Sequence, residues 1–161
     1  MKKIKLTQNK EALVDDEDYE MLMEHKWSIN FNKNNGKHYA KRNCQTKGAR
    51  KIIRMHREIM NAPKRKQVDH INGNTLDNRK ENLRLCTNQQ NQWNSKRNKN
   101  NTSGYKGVSY RKKHKVYRAT INYNDKQIYL GTYKTKEQAA LAYNKKAIEL
   151  FGEYAKLNNV L

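Results

Sequence analysis

The feature that most constrains the fold of this chain is a run of ten residues, 94–103, that contains no apolar side chain. Apolar residues recur at strand and helix spacing on both sides of this run. A polar and basic run of this kind is typical of a linker. A chain of 161 residues can form one ordinary domain or two small ones. The run therefore predicts a first domain at 1–97, a basic linker at 98–103 and a second domain at 104–161.

The charge of the chain indicates a polyanionic partner. Lys and Arg number 35 against 15 Asp and Glu, which gives a formal net charge of +20. Such an excess repels itself and destabilises a folded monomer. No acidic residue lies in 25–57 or in 82–124, and these one-sided stretches favour contact with phosphates. Double-stranded DNA is the expected partner. A membrane is not, because no apolar run approaches 18 residues and no signal-peptide pattern is present.

The two cysteines, Cys44 and Cys86, are isolated and lack CxxC spacing. No structural zinc is therefore expected, and reduced thiols in a cytoplasmic setting fit best. The first half begins with a predicted hairpin at 4–14 and a helix opened by the acids of 15–18. Strands at 27–31 and 39–42 follow. Lys41 and Arg42 on the second of these strands are expected to contact a DNA groove, although a solvated hairpin would have the same pattern.

A strand that enters a short helix is predicted at 51–60, and it carries His56. A lone histidine in such a position is more often a packing or supporting group than a catalyst. Contact with a phosphate is the alternative for His56.

The residues that point most strongly to a catalytic site lie between 68 and 91. Strands at 68–71 and 83–87 form a hairpin, and the capping box of 87–90 starts a helix at Asn88. This order of elements brings Asp69, His70 and Asn91 together. Hydrolysis of a phosphodiester needs a base near neutral pH, which suits His70, and a divalent cation. Hard cations prefer oxygen ligands, and Asp69 and the Asn91 carbonyl offer two. The amide of Asn82 is suited to holding the loop and so orienting His70.

These residues resemble the HNH nucleases, the ββα-metal group, and in particular the small homing-type enzymes of phages. The likeness rests on Asp69-His70, Asn82 and Asn91 and covers roughly residues 52–97. It implies Asp69 and Asn91 as ligands of one Mg²⁺ or Mn²⁺, His70 as general base and Asn82 as a structural residue. It also implies products with 5′-phosphate and 3′-hydroxyl ends, and a phage-encoded protein in the cytoplasm of a bacterial host. Asn88 and Asn94 are alternatives to Asn91.

The second half has the pattern of a three-stranded sheet with one helix. Strands are predicted at 105–110, 117–123 and 126–132, with Asn124-Asp125 as a hairpin turn. A capping box opens a helix at 135 that ends at Gly152. Its predicted buried stripe is Ala139, Ala140, Ala142, Tyr143, Ala147 and Ile148. The opposite face of the sheet is left open, and its hydrogen-bonding and basic residues suit a major groove.

This half resembles the AP2/ERF-type DNA-binding domains. The likeness is carried by the segments 105–108, 129–133, 137–143 and 155–158. The resemblance implies contacts to base or phosphate at a set of family positions, several of which differ from the family's residue types and so imply a different target sequence. Those positions are Lys106, Ser109, Arg111, Arg118, Thr120, Asn122, Gln127 and Tyr129.

The sequence thus predicts an α+β protein with an N-terminal ββα-metal nuclease domain and a C-terminal AP2-type domain. The expected activity is metal-dependent cleavage of duplex DNA, as a nick or a double-strand cut, by a monomer. The main alternative is a catalytically silent DNA-binding regulator. An RNA-binding protein is disfavoured because no aromatic RNP pattern is present.

Overall fold

The computed structural model describes residues 1–46, 48–95 and 100–160. It divides into two compact units, Met1–Asn91 and Gln92–Leu161. The first unit ends at Asn91, before the predicted end of the first domain at 97. Residues 98 and 99 of the predicted linker lie outside the described residues. Within the described part of the chain, no helix has the length and apolar character needed to cross a bilayer.

The first unit combines small antiparallel sheets with short helices, which agrees with the predicted mixture of α and β structure. Its strands are β1 (Lys2–Lys5), β2 (Glu11–Val14), β3 (Ser28–Asn32), β4 (Lys37–Thr46), β5 (Ala49–Arg54), β6 (Gln67–His70) and β7 (Leu83–Cys86). Its helices are α1 (Asp16–Met23), α2 (Met55–Ile59) and α3 (Asn88–Trp93), the last of which runs across the division. The strands pair as β1-β2, β3-β4-β5 and β6-β7.

A single apolar cluster holds the first unit together. Val14, Leu22 and Met55 are completely buried in it, and Trp27 donates its indole N–H to the carbonyl of Leu22 at 2.8 Å. Val68 and Leu83 belong to the same cluster. The β6-β7 hairpin is therefore fixed to the core by its own apolar residues, which leaves its polar residues in defined positions.

The second unit is a three-stranded antiparallel sheet covered by one long helix. The strands are β8 (Val108–Arg111), β9 (Val116–Tyr123) and β10 (Lys126–Tyr133), and the helix is α4 (Lys136–Phe151). The predicted turn is confirmed: Asn124 and Asp125 both have positive φ, at 48° and 59°, as a two-residue hairpin of this twist requires. The predicted capping box at Thr135 and the helix end at Gly152 are also present.

Helix α4 packs on the sheet through small and aromatic side chains. Ala139, Ala140, Tyr143 and Ala147 are buried, followed by Phe151. The prediction was wrong for Ile148, which is 55% exposed. Residues 143, 147 and 151 follow one another at a spacing of four, so the next position along the helix, 148, turns about 100° away from their stripe.

Candidate active site and nucleic-acid interface

The β6-β7 hairpin presents Asp69 and His70 at the end of its first strand. Asp69 lies opposite Arg84 and His70 lies opposite Leu83 in the antiparallel register. Both side chains are buried, at 5% and 4% exposure. The main-chain N–H of Ile71 donates to the carbonyl of Asn82 at 2.9 Å, which closes the strand pair at this end. The two candidate chemical groups are thus neighbours on rigid backbone.

The side chain of Asn78 fixes the state of the His70 ring. Its Oδ1 lies 3.3 Å from Nε2 of His70, and its Nδ2 donates to the carbonyl of Leu76 at 3.2 Å. The second contact orients the amide so that an acceptor faces His70. With the amide in this orientation, the tautomer that satisfies the contact is the one with its proton on Nε2, and Nδ1 is then the nitrogen that can take a proton from water.

Burial lowers the pKa of His70 from its usual value. The hydrogen bond with Asn78 and the charge of Asp69 oppose this effect, and the charge of Lys37 adds to it. The neutral ring is therefore favoured near pH 7, and only a neutral imidazole can act as a base.

Asp69 is neutralised by an arginine. Oδ2 of Asp69 accepts hydrogen bonds from Nε and Nη2 of Arg84 at 3.0 and 2.8 Å. The two side chains are only 6% and 12% exposed, so the ion pair lies largely out of solvent. The sequence did not point to this partner, although a cross-strand position opposite Asp69 would have suggested it once the register was known.

The amide of Asn82 spans the loop between β6 and β7. Its Oδ1 accepts from the main-chain N–H of Asn72 at 2.9 Å, and its Nδ2 donates to the carbonyl of Asp77 at 2.8 Å. Asn72 in turn donates from Nδ2 to Oδ2 of Asp77 at 2.9 Å. These bonds hold the loop in one shape. The direct contact to His70 is made by Asn78, which the sequence analysis did not single out.

Asn91 lies half-buried near the start of α3. The predicted capping box opens this helix: Thr87 Oγ1 accepts from the N–H of Gln90 at 3.2 Å, and Gln90 Oε1 accepts from the N–H of Thr87 at 2.8 Å. The pairing of Asn91 with Asp69 as metal ligands stays a prediction.

The donor chemistry of the candidate site fits a hard divalent cation better than a soft one. One carboxylate and one amide oxygen are the proposed ligands, and hard cations complete their shell with water and phosphate. Among the described residues, no group of three His, Cys, Asp or Glu side chains could enclose a metal ion. The ion pair of Asp69 with Arg84 means that a cation must compete with a guanidinium for this carboxylate.

A second histidine stands beside the first. The His56 and His70 rings meet edge to face with centroids 5.0 Å apart. His56 is 4% exposed, and its Nδ1 is buried without a hydrogen-bond partner in the described part of the chain. Burial, helped by the charge of His70, lowers the pKa of His56 to about 3. This ring is therefore neutral at physiological pH.

The two basic residues predicted to contact DNA from β4 lie on opposite faces of the sheet. Arg42 is directed inward, where Nε and Nη2 donate to the two carboxylate oxygens of Glu58 at 2.9 and 2.7 Å. Its guanidinium also lies 5.9 Å from the Trp27 ring. Lys41 points to the other face, as alternation along a strand requires. Lys41 is the better candidate for a phosphate contact.

The open face of the second unit carries most of the predicted DNA contacts. Cross-strand pairs join Ser109 with Arg118, Tyr129 with Thr120 and Gln127 with Asn122. The Arg118 guanidinium lies 5.1 Å from the centre of the Tyr129 ring, which is 55% exposed. Arg111 at the end of β8 is also exposed. The arrangement offers a cation, a flat ring and several amide or hydroxyl groups on one surface.

Lys106 makes a different contact from the one predicted by resemblance. Its Nζ donates to the carbonyls of Trp93 and Ser95 at 2.6 and 2.8 Å. Burial lowers its pKa to about 8, with a further contribution from the charge of Lys156. In this arrangement Lys106 ties the start of the second unit to its sheet. No local sequence signal distinguishes such a lysine from one that binds phosphate.

Comparisons with known proteins agree with this architecture. The HNH endonuclease family matches residues 61–93, and the AP2 domain matches residues 103–153. The chain is 38% identical over 94 residues to Protein 3.8 of Escherichia phage T7, an alignment that covers 58% of this chain and 77% of the phage protein. It is 42% identical over 93 residues to a protein of Acanthamoeba polyphaga mimivirus named as an HNH endonuclease, over 58% of this chain and 47% of that protein. No solved structure matches.

The chain therefore belongs to the HNH endonuclease family, and it carries an AP2 domain behind the nuclease part. Members of that family are nucleases that generally use a divalent metal, and both domain types bind DNA.

Proposed function

We propose that this chain is an endonuclease that hydrolyses phosphodiester bonds in duplex DNA, with His70 as the general base. The state of the His70 ring is the observation that carries the proposal. Asn78 Oδ1 at 3.3 Å from Nε2 leaves Nδ1 as the basic nitrogen, and burial favours the neutral form that a base requires.

Each residue of the candidate site has a separate role in the proposed reaction. Nδ1 of His70 takes a proton from a water molecule as that water attacks the phosphorus atom. The bond from phosphorus to the 3′ oxygen breaks, and that oxygen takes a proton from a solvent water molecule, which yields 5′-phosphate and 3′-hydroxyl ends. When bound by Asp69 and Asn91, Mg²⁺ or Mn²⁺ supplies positive charge next to the scissile phosphate. Asn82 keeps the loop of residues 72–77 in place, and Asn78 keeps the proton on Nε2.

The second unit would place the nuclease on its target. Arg118, Tyr129 and the polar residues around them lie on the open face of the β8-β9-β10 sheet. A surface of this composition can bind phosphates and read base edges in a major groove. We propose that the protein acts on DNA as a monomer, as a homing-type enzyme in the cytoplasm of a bacterial host. The phage relative is the support for that setting.

A cleavage assay tests the enzymatic part. Supercoiled plasmid and phage DNA are incubated with the protein in Mg²⁺ or Mn²⁺, and with EDTA. We expect nicked or linear products that EDTA abolishes. His70→Ala should lose at least about 100-fold in rate, the usual contribution of a general base, and Asp69→Ala should also lose activity. His114→Ala is the control, since that histidine is exposed in the second unit. Unchanged cleavage by both site variants would disprove the assignment.

One observation favours a second candidate function, that of a DNA-binding regulator with a silent nuclease domain. Arg84 occupies Oδ2 of Asp69 in a largely buried ion pair, which would disfavour a metal ion at that oxygen. Binding to duplex DNA without any cleavage in Mg²⁺ or Mn²⁺, over a broad set of DNAs, would support this alternative. Metal-dependent cutting would exclude it.

A further inference from the structure

One face of the β3-β4-β5 sheet carries, besides Lys41, further residues without an assigned role. The inner face carries Ile29 and Ala40 into the core and holds Arg42 against Glu58. Tyr39, Lys41 and Arg54 lie on the other face, where Lys41 and Arg54 are direct cross-strand partners. The sequence of these three strands contains no acidic residue. This outer face is therefore positively charged along its length.

The outer face leads to the candidate base. The ring of Tyr39 lies 6.3 Å from the His70 ring and 5.7 Å from the His56 ring, measured between centroids. The Arg54 guanidinium lies 5.4 Å from the centre of the Tyr39 ring. Thr75, in the loop after His70, donates from its hydroxyl to the carbonyl of His38 at 2.5 Å. Arg54 and His70 thus both lie beside the Tyr39 ring.

Arg54 differs from the other half-buried arginines of the first unit. Each of those has its guanidinium bound to a carboxylate or to main-chain carbonyls. They are Arg42 with Glu58, Arg57 with the carbonyls of residues 62, 63 and 66, Arg79 with Asp77, and Arg84 with Asp69. In the described part of the chain the guanidinium of Arg54 has no hydrogen bond or ion pair; it contacts the Tyr39 ring, and its charge acts on His56. A half-buried cation without a counter-charge is expected where an anion binds.

We propose that Arg54 binds the non-bridging oxygens of the scissile phosphate, in duplex DNA that lies across the outer face of the β3-β4-β5 sheet. This inference rests on the proposed nuclease function and adds a residue to it. The planar guanidinium can donate two parallel hydrogen bonds to a phosphate, and its contact with the Tyr39 ring helps to position it. Its charge stabilises the negative charge that develops as water attacks. Lys41, beside it in the register, contacts a flanking phosphate.

Cleavage by Arg54→Gln and Arg54→Lys, on plasmid DNA that the wild-type protein cuts, tests the inference. Arg50→Gln is the matched control, because Arg50 is exposed on the same strand and the same face, four residues away. We expect Arg54→Gln to lose about 100-fold in single-turnover rate. Arg54→Lys should lose about 10-fold, since it keeps the charge without the paired donors. Arg50→Gln removes one charge from the same face without touching the scissile phosphate, so it should lose much less than Arg54→Gln, about two- to threefold through weaker general attraction. Circular dichroism verifies that each variant is folded.

Two results would overturn the inference. One is cleavage by Arg54→Gln within about twofold of wild type, and the other is an equal loss in Arg50→Gln, which would indicate general attraction only. Affinity for a short fluorescent duplex is measured in parallel. If the wild-type protein cuts no DNA, the nuclease proposal fails by itself. In that case a greater loss of affinity in Arg54→Gln than in Arg50→Gln supports the phosphate contact, and equal affinities refute it.

Discussion

Arg84 and Asp69 face each other across the β6-β7 hairpin, and the guanidinium donates two hydrogen bonds to the same carboxylate oxygen. The pair neutralises a carboxylate that is proposed to bind a cation. Under that proposal, the guanidinium and the metal ion compete for the same carboxylate. This relationship gives the first prediction.

Arg84→Gln should lower the free energy of unfolding by about 3 kcal/mol, because it leaves a buried carboxylate without its counter-charge. Mg²⁺ should restore part of this loss by taking the place of the guanidinium. The measurement is the change in thermal unfolding on addition of Mg²⁺, which we expect to be larger in Arg84→Gln than in the wild type. The double variant with Asp69→Asn is the control. A Mg²⁺ effect that survives in it would place the cation elsewhere.

Asn78→Leu should lower kcat about 10- to 100-fold with little change in KM, since the loss of the acceptor leaves the His70 tautomer unfixed. Asn74→Ala is the matched control. Asn74 Oδ1 accepts from the N–H of Leu76 in the same loop at 3.2 Å, so that variant loosens the loop while His70 keeps its partner. Equal losses in the two variants would mean that loop order, and not the ring proton, is what matters.

Stability of the first unit should fall in acid because of His56. The unfolded chain takes up a proton at this residue near pH 6.5, whereas the folded state resists protonation until about pH 3. The contribution is therefore complete above about pH 6.5 and is lost as the pH falls towards 3, at up to about 1.4 kcal/mol per pH unit. Urea unfolding followed by Trp27 fluorescence in a Trp93→Phe background measures it.

His56→Phe keeps an aromatic ring at this position and should show a smaller dependence of stability on pH in this range. His114→Gln, in the second unit, should keep the wild-type dependence. If His56→Phe and the wild type have the same slope, His56 is not protonated on unfolding in the way proposed.

Gly107→Ala should strongly destabilise the second unit. Gly107 has φ +76°, and an added Cβ would lie 2.1 Å from Cδ2 of Tyr143 and 2.6 Å from the carbonyl oxygen of Thr120. Gly152 also has positive φ, +53°, but nothing lies within 4 Å of its Cβ position. We expect losses of about 3 kcal/mol for Gly107→Ala and about 1 kcal/mol for Gly152→Ala. The loss in each variant is measured by urea unfolding in a Trp27→Phe background, where the fluorescence of Trp93 reports on the second unit.

If DNA binds the open face of the sheet in the second unit, removal of a cation from that face should change the salt dependence of DNA binding. Arg118→Gln should reduce the slope of log affinity against log salt concentration by about 1, as for the loss of one phosphate contact. Lys145→Gln is the control, because Lys145 is exposed on α4, the helix that covers the other side of the sheet. A reduced slope in Lys145→Gln and none in Arg118→Gln would place the DNA on the helix side.

Local chemistry accounts for the parts of the fold that the sequence allowed us to predict. The capping boxes at Thr87 and Thr135 and the turn at Asn124-Asp125 depend on residues within a few positions of each other. The helix after β7 could be predicted for the same reason, and the two strands of the β6-β7 hairpin from their apolar runs. The nuclease and AP2 assignments came from residue patterns of this local kind.

Contacts between distant segments account for what could not be predicted. Arg42 has the sequence context of a surface cation, yet Glu58 from α2 holds it on the inner face of the sheet. Arg84 and Asp69 meet only because of the hairpin register. Lys106 is turned towards main-chain carbonyls by the packing of the second unit. Each of these depends on tertiary structure that periodicity does not encode.

The core of the second unit reaches beyond the limits of the AP2 match. Trp93 stacks on Phe151 and Tyr123, with centroid distances of 4.6 and 5.9 Å, whereas the family match begins at residue 103. A fragment cut at 104 would expose these two rings and free Lys106 from its carbonyl partners. For anyone who wishes to graft this DNA-binding module onto another enzyme, we expect the portable piece to need Trp93 in addition to the residues of the AP2 match.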